Sequence, residues 1–228
     1  MKKLSALLII MLIALLTLSA GTLPDEVLTV RAVGDYRKMT STLGDKSSVN
    51  KLSGAGFAFD YDYYLNNYVG LFTNVGLTVP LKSDVDGKSQ DFEYRDFPVY
   101  TQFGMVGRIP LSNTAGLDLR LGFGVTYDKA VNGGSTIVET DKYWIIYHGY
   151  MFSKVELQTV AGLGFYTNFD SQGSFGIKAG ANVAATFYTG IYREGYNYSA
   201  EVADLKRVGY EIQPYVGFTI GFNNYNGY

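Results

Sequence analysis

The chain has 228 residues, 47% of them hydrophobic and 18% charged, with a formal net charge of −2. This composition excludes a disordered chain and a nucleic-acid-binding protein, and the length suits one domain. The absence of cysteine excludes disulfides, a cysteine nucleophile and the lipid-modified cysteine of a lipoprotein, and a single histidine excludes a histidine-rich metal site. The 27 Gly, 20 Tyr and 14 Phe residues favour strands and turns over helices.

The first twenty residues differ from the rest of the chain. Lys2 and Lys3 precede an apolar run at 4–18, and Ala20 offers a small residue at a cleavage point. This is the arrangement of a secretory signal peptide, and the run is shorter than the ~20 apolar residues of a membrane-spanning helix. We therefore expect a cleavable signal peptide at 1–20 and a mature domain at 21–228, with an uncleaved anchor as the alternative.

After the leader, apolar residues recur with a period of two. In segment 207–222 the even positions form an apolar face and the odd positions a polar or small one. Segment 175–192 alternates likewise, with Tyr188 on the same face as Gly176 and Lys178. Because successive strand residues point to opposite faces, each segment predicts a two-faced strand. The predicted strands are 26–39, 51–65, 68–81, 92–109, 115–130, 154–169, 175–192 and 207–222, with a β-bulge at the phase change near residues 95–97.

The predicted connections alternate between short and long along the chain. The short ones are 66–67, 111–114 and 170–174, and the long polar ones are 40–50, 82–91, 131–153 and 193–206. All short turns therefore fall at one end of the predicted barrel and all long loops at the other. Short periplasmic turns opposite long extracellular loops are typical of bacterial outer-membrane barrels.

The polar face decides between a membrane barrel and a soluble one. It is rich in glycine and in charges of both signs, which suits a narrow interior where an unpaired charge is costly. Towards the short-turn end it carries Arg31, Asp60, Asp62, Arg108, Asp118, Arg120 and Lys178, and towards the loop end Asp35, Arg37, Asp128, Lys154, Glu156 and Glu211. We expect these charges inside and the apolar face against lipid, the alternative being that they face water.

Aromatic residues at the strand ends also favour a membrane. They are Tyr61, Tyr63, Phe165, Phe169, Phe175, Phe218 and Phe222. Aromatic belts mark both interfaces of a membrane barrel, although β-propensity alone also favours aromatics in strands.

The mature chain resembles the small eight-stranded outer-membrane proteins, the group of OmpX, OmpW and the transmembrane domain of OmpA. Segment 215–222 resembles that group's assembly signal through Tyr215, Gly217, Phe218 and Phe222, although Ile220 replaces an expected aromatic and residues 223–228 extend beyond it. The resemblance implies an all-β fold, an eight-stranded antiparallel up-and-down transmembrane β-barrel in the bacterial outer membrane. It also implies extracellular long loops, periplasmic N- and C-termini, and contacts with outer-membrane lipids and the barrel-assembly machinery.

Two loops carry residue types that are enriched in recognition surfaces. They are Tyr143, Trp144, Tyr147, His148 and Tyr150 in 131–153, and Arg193, Tyr196 and Tyr198 in 193–206. One hypothesis is a structural protein that displays its loops to host molecules, other cell surfaces or lipopolysaccharide-like lipids. The alternatives are a narrow, OmpW-like pore for small or apolar solutes, or simple hairpin extensions above the membrane.

A lipid A-modifying enzyme is the third hypothesis, since some eight-stranded barrels are such enzymes. His148, with Ser153 and Glu156 following, is the one candidate base, and its spacing does not match the closely placed His and Ser of the deacylases. We therefore expect no catalytic residue, no metal and no cofactor.

Overall fold

The computed structural model of the protein describes residues 23–43, 45–90, 98–131, 136–140, 143–147, 151–195, 198–201 and 205–222. These ranges contain twelve β-strands. The eight long ones are β1 (Glu26–Leu43), β2 (Lys46–Tyr64), β3 (Val69–Val85), β5 (Val99–Pro110), β6 (Ala115–Val131), β9 (Met151–Asn168), β10 (Phe175–Gly195) and β12 (Leu205–Phe222). The four short ones are β4 (Lys88–Gln90), β7 (Thr136–Thr140), β8 (Tyr143–Tyr147) and β11 (Tyr198–Glu201).

The long strands close into a barrel. Each pairs antiparallel with the next long strand in the chain, and β12 returns to pair with β1, where Glu26 lies opposite Phe222. The predicted all-β, eight-stranded antiparallel up-and-down barrel is therefore confirmed. Within the ranges that the structure describes, no helix has the length and hydropathy needed to cross a lipid bilayer.

The two faces of the strands are separated as the alternation predicted. In β12, Gln213 and Tyr215 are buried, whereas Val216 and Phe218 are 54% and 68% exposed. Large apolar side chains cover the outside, whereas the inside holds charged and amide side chains together with apolar and aromatic ones such as Phe72 and Tyr100. The alternative in which the charged face meets water is wrong, because the side chains on that face are buried or half-buried.

The alternation predicts the wrong face for one residue, Tyr188. Tyr188 was expected inside, but it is 45% exposed on the outside, next to the equally outward Phe187. The pairing of β10 with β9 shifts by one residue between Thr186 and Tyr188, so the alternation reverses there. A second shift leaves Leu81 without a partner between the Ser53 and Gly54 positions of β2. The bulge predicted near residues 95–97 lies outside the described residues.

The predicted long loops 40–50 and 82–91 are wrong, because the strands continue through most of both segments. β1 and β2 pair up to Leu43 and Lys46, and β3 runs to Val85 before turning back into β4. That turn uses Asp86 and Gly87, whose φ angles of 52° and 82° suit a two-residue hairpin turn. Likewise β7 pairs with β8, and β10 with β11. The pairs β7–β8 and β10–β11 are hairpin extensions, in accordance with one of the alternatives for 131–153 and 193–206.

Candidate functional site

The candidate site is the interior of the barrel, and its most highly charged part lies near the short-turn end. Arg120 reaches from β6 across the lumen to β2, where its Nη1 lies 2.9 Å from Asp60 Oδ2 and its Nη2 lies 2.8 Å from Asp62 Oδ1. Lys178 Nζ of β10 lies 2.9 Å from Asp62 Oδ2, and Arg31 Nε of β1 lies 3.1 Å from Asp60 Oδ1. Side chains from four strands therefore meet in one network.

Asp118 completes this group, which we call the short-turn cluster (Arg31, Asp60, Asp62, Asp118, Arg120 and Lys178). Asp118 forms an ion pair with Lys178 and accepts a hydrogen bond of 3.3 Å from the Tyr64 hydroxyl. Every member is at most 3% exposed. Three cations face three carboxylates, so the cluster is neutral, as an enclosed set of charges requires.

Arg108 was expected in the same set, but it occupies a different environment. Its Cζ lies 3.5 Å from the centre of the Tyr64 ring, and its Nη1 donates a hydrogen bond of 3.2 Å to the carbonyl of Pro24. The guanidinium is therefore held by a cation–π contact and a backbone carbonyl, and it joins the short-turn cluster through Tyr64.

The segment before β1 folds under the barrel and covers its short-turn end. Leu23 and Pro24 are buried, and the backbone amide of Tyr64 donates a hydrogen bond of 2.6 Å to the carbonyl of Asp25. Pro24 packs so closely on Gly221 that a Cβ added there would lie 2.5 Å from its ring. A cavity of about 20 Å³, enough for one water molecule, remains above this segment. The alternation did not predict this covering, because these residues precede the first strand.

A layer of amide side chains crosses the middle of the lumen. Gln102 Oε1 accepts hydrogen bonds from Asn74 (2.8 Å) and Asn182 (3.0 Å), and Gln102 Nε2 donates to Gln213 Oε1 at 3.1 Å. These four residues, the amide layer, come from four different strands and are at most 1% exposed. They lie on the inward face of their strands, as the charged residues do. Their place in the alternation was therefore the signal that could have predicted them, and considering charged residues alone missed it.

A third group, the loop-end cluster, contains Asp35, Arg37 and Glu211. Arg37 Nε lies 2.9 Å from Asp35 Oδ2, and Arg37 Nη2 lies 3.2 Å from Glu211 Oε1. Glu211 also accepts hydrogen bonds from Gln213 and, at 3.2 Å, from Gln158. Because Gln213 belongs to the amide layer, hydrogen bonds connect the two groups.

Of the remaining predicted inner charges, Glu156 is buried, whereas Lys154 and Asp128 are partly exposed. Lys154 Nζ lies 2.8 Å from Asp128 Oδ2 and 3.5 Å from Glu156 Oε1. The Lys154 and Asp128 side chains are 12% and 18% exposed, so solvent weakens this pair relative to the short-turn cluster.

A turn at the short-turn end contains one carboxyl with a shifted pKa. Asp170 Oδ1 accepts hydrogen bonds from the backbone amides of Ser174 (3.0 Å) and Gln172 (2.9 Å). These bonds, chiefly the one from Ser174, lower the pKa of the Asp170 carboxyl because they favour its charged form. The turn therefore supplies its own capping group.

The predicted recognition residues are placed only in part. Tyr143, Trp144 and Tyr147 lie in β8, Arg193 in β10 and Tyr198 in β11, with only their backbone described. His148, Tyr150 and Tyr196 lie outside the described residues.

The four residues predicted as an assembly signal all lie in β12. Tyr215 and Gly217 face the lumen, whereas Phe218 and Phe222 are 68% and 49% exposed on the outer face. A Cβ added at Gly217 would lie 2.7 Å from the Cβ of Arg31, so this glycine makes room for a member of the short-turn cluster. Their role in assembly stays a prediction.

A closed eight-stranded barrel with an apolar exterior and a charged interior is the fold of the small bacterial outer-membrane barrels. The outer membrane protein OprG from Pseudomonas aeruginosa is similar to this chain with 11% identity and a TM-score of 0.51, covering 90% of this chain and 100% of OprG. The outer membrane protein AlkL, solved in DMPC bilayers, is similar with 10% identity and a TM-score of 0.50, covering 92% of this chain and 96% of AlkL. No family model and no curated protein matches the sequence. What this chain shares with OprG and AlkL is therefore the fold.

Proposed function

We propose that the protein is an integral outer-membrane barrel with a side-chain-filled lumen, acting as a structural or surface-interaction protein. One observation carries this proposal: the short-turn cluster, the amide layer and the loop-end cluster follow one another along the lumen. An eight-stranded barrel has an interior only just wide enough for its side chains. Three such groups, with Leu23 and Pro24 beneath them, leave little space for a solute.

The outer surface supports a position in a membrane. Phe59, Leu71, Leu121 and Phe218 are among the large apolar side chains that are at least half exposed on it. A soluble protein rarely exposes an apolar surface that continues around the whole molecule, because contact with water is unfavourable. Lipid contact removes this cost, and the predicted signal peptide would direct the chain across the inner membrane.

Our proposal places the loop-end hairpins outside the cell and the short turns in the periplasm. The hairpins carry the aromatic residues of 143–150 and 193–198, which would contact host or other cell-surface molecules. Outer-membrane lipids and the barrel-assembly machinery are the other proposed partners. The proposal includes no catalytic step and no cofactor.

Conductance recording in planar bilayers tests the closed lumen. We expect wild-type protein to insert without steady conductance, because paired charges and amides occupy the path. A porin reconstituted in the same way is the positive control for the recording. Steady wild-type conductance would contradict the proposal and favour the narrow pore for small or apolar solutes.

A further inference from the structure

The outer face of three neighbouring strands changes from apolar to basic at one boundary. On β1, β2 and β3 the outward positions are apolar or uncharged through residues 28–36, 55–63 and 71–81. These runs of nine, nine and eleven residues match the ~9–11 residues with which a strand crosses a bilayer. The first charged outward side chain beyond each run, on the loop side, is a lysine: Lys38, Lys51 and Lys82. We call these three residues the lysine rim.

The strand register places two of these lysines face to face. Lys38 lies directly opposite Lys51, and Lys82 lies opposite Ser53, diagonal to Lys51. Direct partners have their Cβ atoms ~4.5–5.5 Å apart and diagonal ones ~7–8 Å, and like charges directly opposite are destabilising. The arrangement therefore concentrates positive charge on a chain whose formal net charge is −2.

Nearby carboxylates offset this charge only in part, because they form hydrogen bonds with the hairpin instead of ion pairs with the rim. Within the described ranges, no ion pair of 4.0 Å or less involves a member of the lysine rim. Asp84 lies opposite Lys51 on β3, but its Oδ1 accepts a hydrogen bond of 2.8 Å from the amide of Gly87. Asp86 accepts from the amide of Val49 at 2.7 Å and from the Ser48 hydroxyl at 3.0 Å. Both carboxylates thus serve the hairpin backbone.

We infer that the lysine rim binds the phosphate groups of a membrane lipid whose acyl chains lie along the apolar runs below it. This inference rests on the proposed insertion into the outer membrane. Lysine extends a charged head from an apolar stem and binds phosphate as a point charge, which suits the boundary between acyl chains and headgroups. Tyr36, two residues below Lys38, packs on Tyr210 with ring centres 6.4 Å apart and adds an aromatic surface at this height.

A soluble anion is the less favourable occupant. The rim lies on the outer wall of the barrel, directly above lipid-facing residues such as Leu81 and Phe57, which are 61% and 48% exposed. A lipid headgroup is held at this height by its own acyl chains, whereas a free anion would bind through exposed charges alone and be screened by salt.

The direct test compares two lipids that differ only in phosphate. Folded wild-type protein in detergent micelles is titrated with diphosphoryl lipid A, and separately with dephosphorylated lipid A of the same acyl chains, with bound lipid counted by native mass spectrometry. We expect the phosphorylated lipid to bind about ten-fold more tightly or better, as for several lysines at an anionic lipid surface. Equal affinities would overturn the inference without the need for any variant.

Variants locate the binding on the rim. The combination Lys38→Gln, Lys51→Gln and Lys82→Gln should remove this preference, and the corresponding three Lys→Arg changes should keep it. Lys88→Gln, which removes an exposed lysine of β4 beyond the rim, is the matched control and should leave the affinity unchanged. Wild-type affinity in the triple Gln variant would overturn the assignment to these lysines. Competition by millimolar inorganic phosphate would overturn the choice of a lipid.

Different results would contradict the proposed membrane insertion and the proposed lipid binding by the lysine rim. Without membrane insertion, wild-type protein would not associate with phosphatidylcholine vesicles and would not migrate differently on a gel before and after boiling. That result would contradict the proposed function. Insertion with equal affinity for both forms of lipid A would contradict the lysine rim alone.

Discussion

Each carboxylate of the short-turn cluster contacts two partner side chains. Asp60 contacts Arg31 and Arg120, and Asp62 contacts Arg120 and Lys178. Arg120 is the one cation that joins both carboxylates, because its planar fork presents two nitrogens at once. Its loss would leave Asp60 and Asp62 with one cation each and an excess of negative charge.

We therefore expect Arg120→Ala to destabilise the barrel by about 3–5 kcal/mol, towards the lower end because each carboxylate keeps one partner. Urea unfolding in detergent, followed by the shift between folded and unfolded bands on a gel, measures the change. Lys154→Ala is the control, since its pair with Asp128 is partly exposed and is worth about 1 kcal/mol or less. Equal effects of the two variants would contradict a buried short-turn cluster.

At the scale of elements, the segment preceding β1 acts as a cover on the short-turn end. Arg108 holds it through the Pro24 carbonyl, and Tyr64 holds it through the Asp25 carbonyl. The closeness of Pro24 to Gly173 shows how tightly the cover fits. At Gly173, with φ of 72°, an added Cβ would lie 2.6 Å from the Pro24 ring.

The absence of cysteine makes this cover easy to test. A thiol introduced as Pro24→Cys should react with a maleimide about ten-fold more slowly than one introduced as Ser112→Cys in an exposed turn, because it is buried. Adding Arg108→Ala should speed the reaction at position 24 and leave position 112 unchanged. Equal rates for the two single variants would show that the segment does not cover the barrel end.

The hairpin extensions and the short turns lie at opposite ends, so they should face opposite sides of the membrane. An epitope tag inserted near Gly133 or Asn197 should bind antibody on intact cells, whereas a tag near Asn113 should bind only after permeabilisation. Whole-cell antibody binding measures this, with total tag content by immunoblot as the control. The reverse pattern would refute the proposed orientation.

At the scale of the whole molecule, charge and hydropathy are distributed as a lipid environment requires. Charged and amide groups pair inside, apolar groups cover the outer wall, and the β1–β2 and β3–β4 hairpins beyond the lysine rim are polar. This arrangement inverts that of a soluble protein, whose core is apolar. The molecule therefore depends on lipid or detergent to cover its exterior.

Fractionation of expressing cells tests that dependence. We expect the mature chain, cleaved after Ala20 or within a residue or two of it, in the outer membrane fraction. Its folded form should migrate differently from the boiled form, because a hydrogen-bonded barrel resists detergent until heated. N-terminal sequencing and a periplasmic marker protein are the controls. Recovery of the chain as a soluble periplasmic protein would refute the membrane proposal.

By itself, the sequence determined the eight long strands and the two faces of the wall, because side-chain alternation is a local property of a strand. The closed topology followed only from the resemblance to the small outer-membrane barrels, since closure pairs β1 with β12. Tertiary structure decided which charges meet, since Arg120 and Asp60 are 60 residues apart, lie on strands that do not pair, and meet only across the lumen of the closed barrel. It also decided the outward turn of Tyr188 at a bulge, the amide layer and the cover formed by Leu23 and Pro24. These features depend on contacts between distant segments, and no local period encodes such contacts.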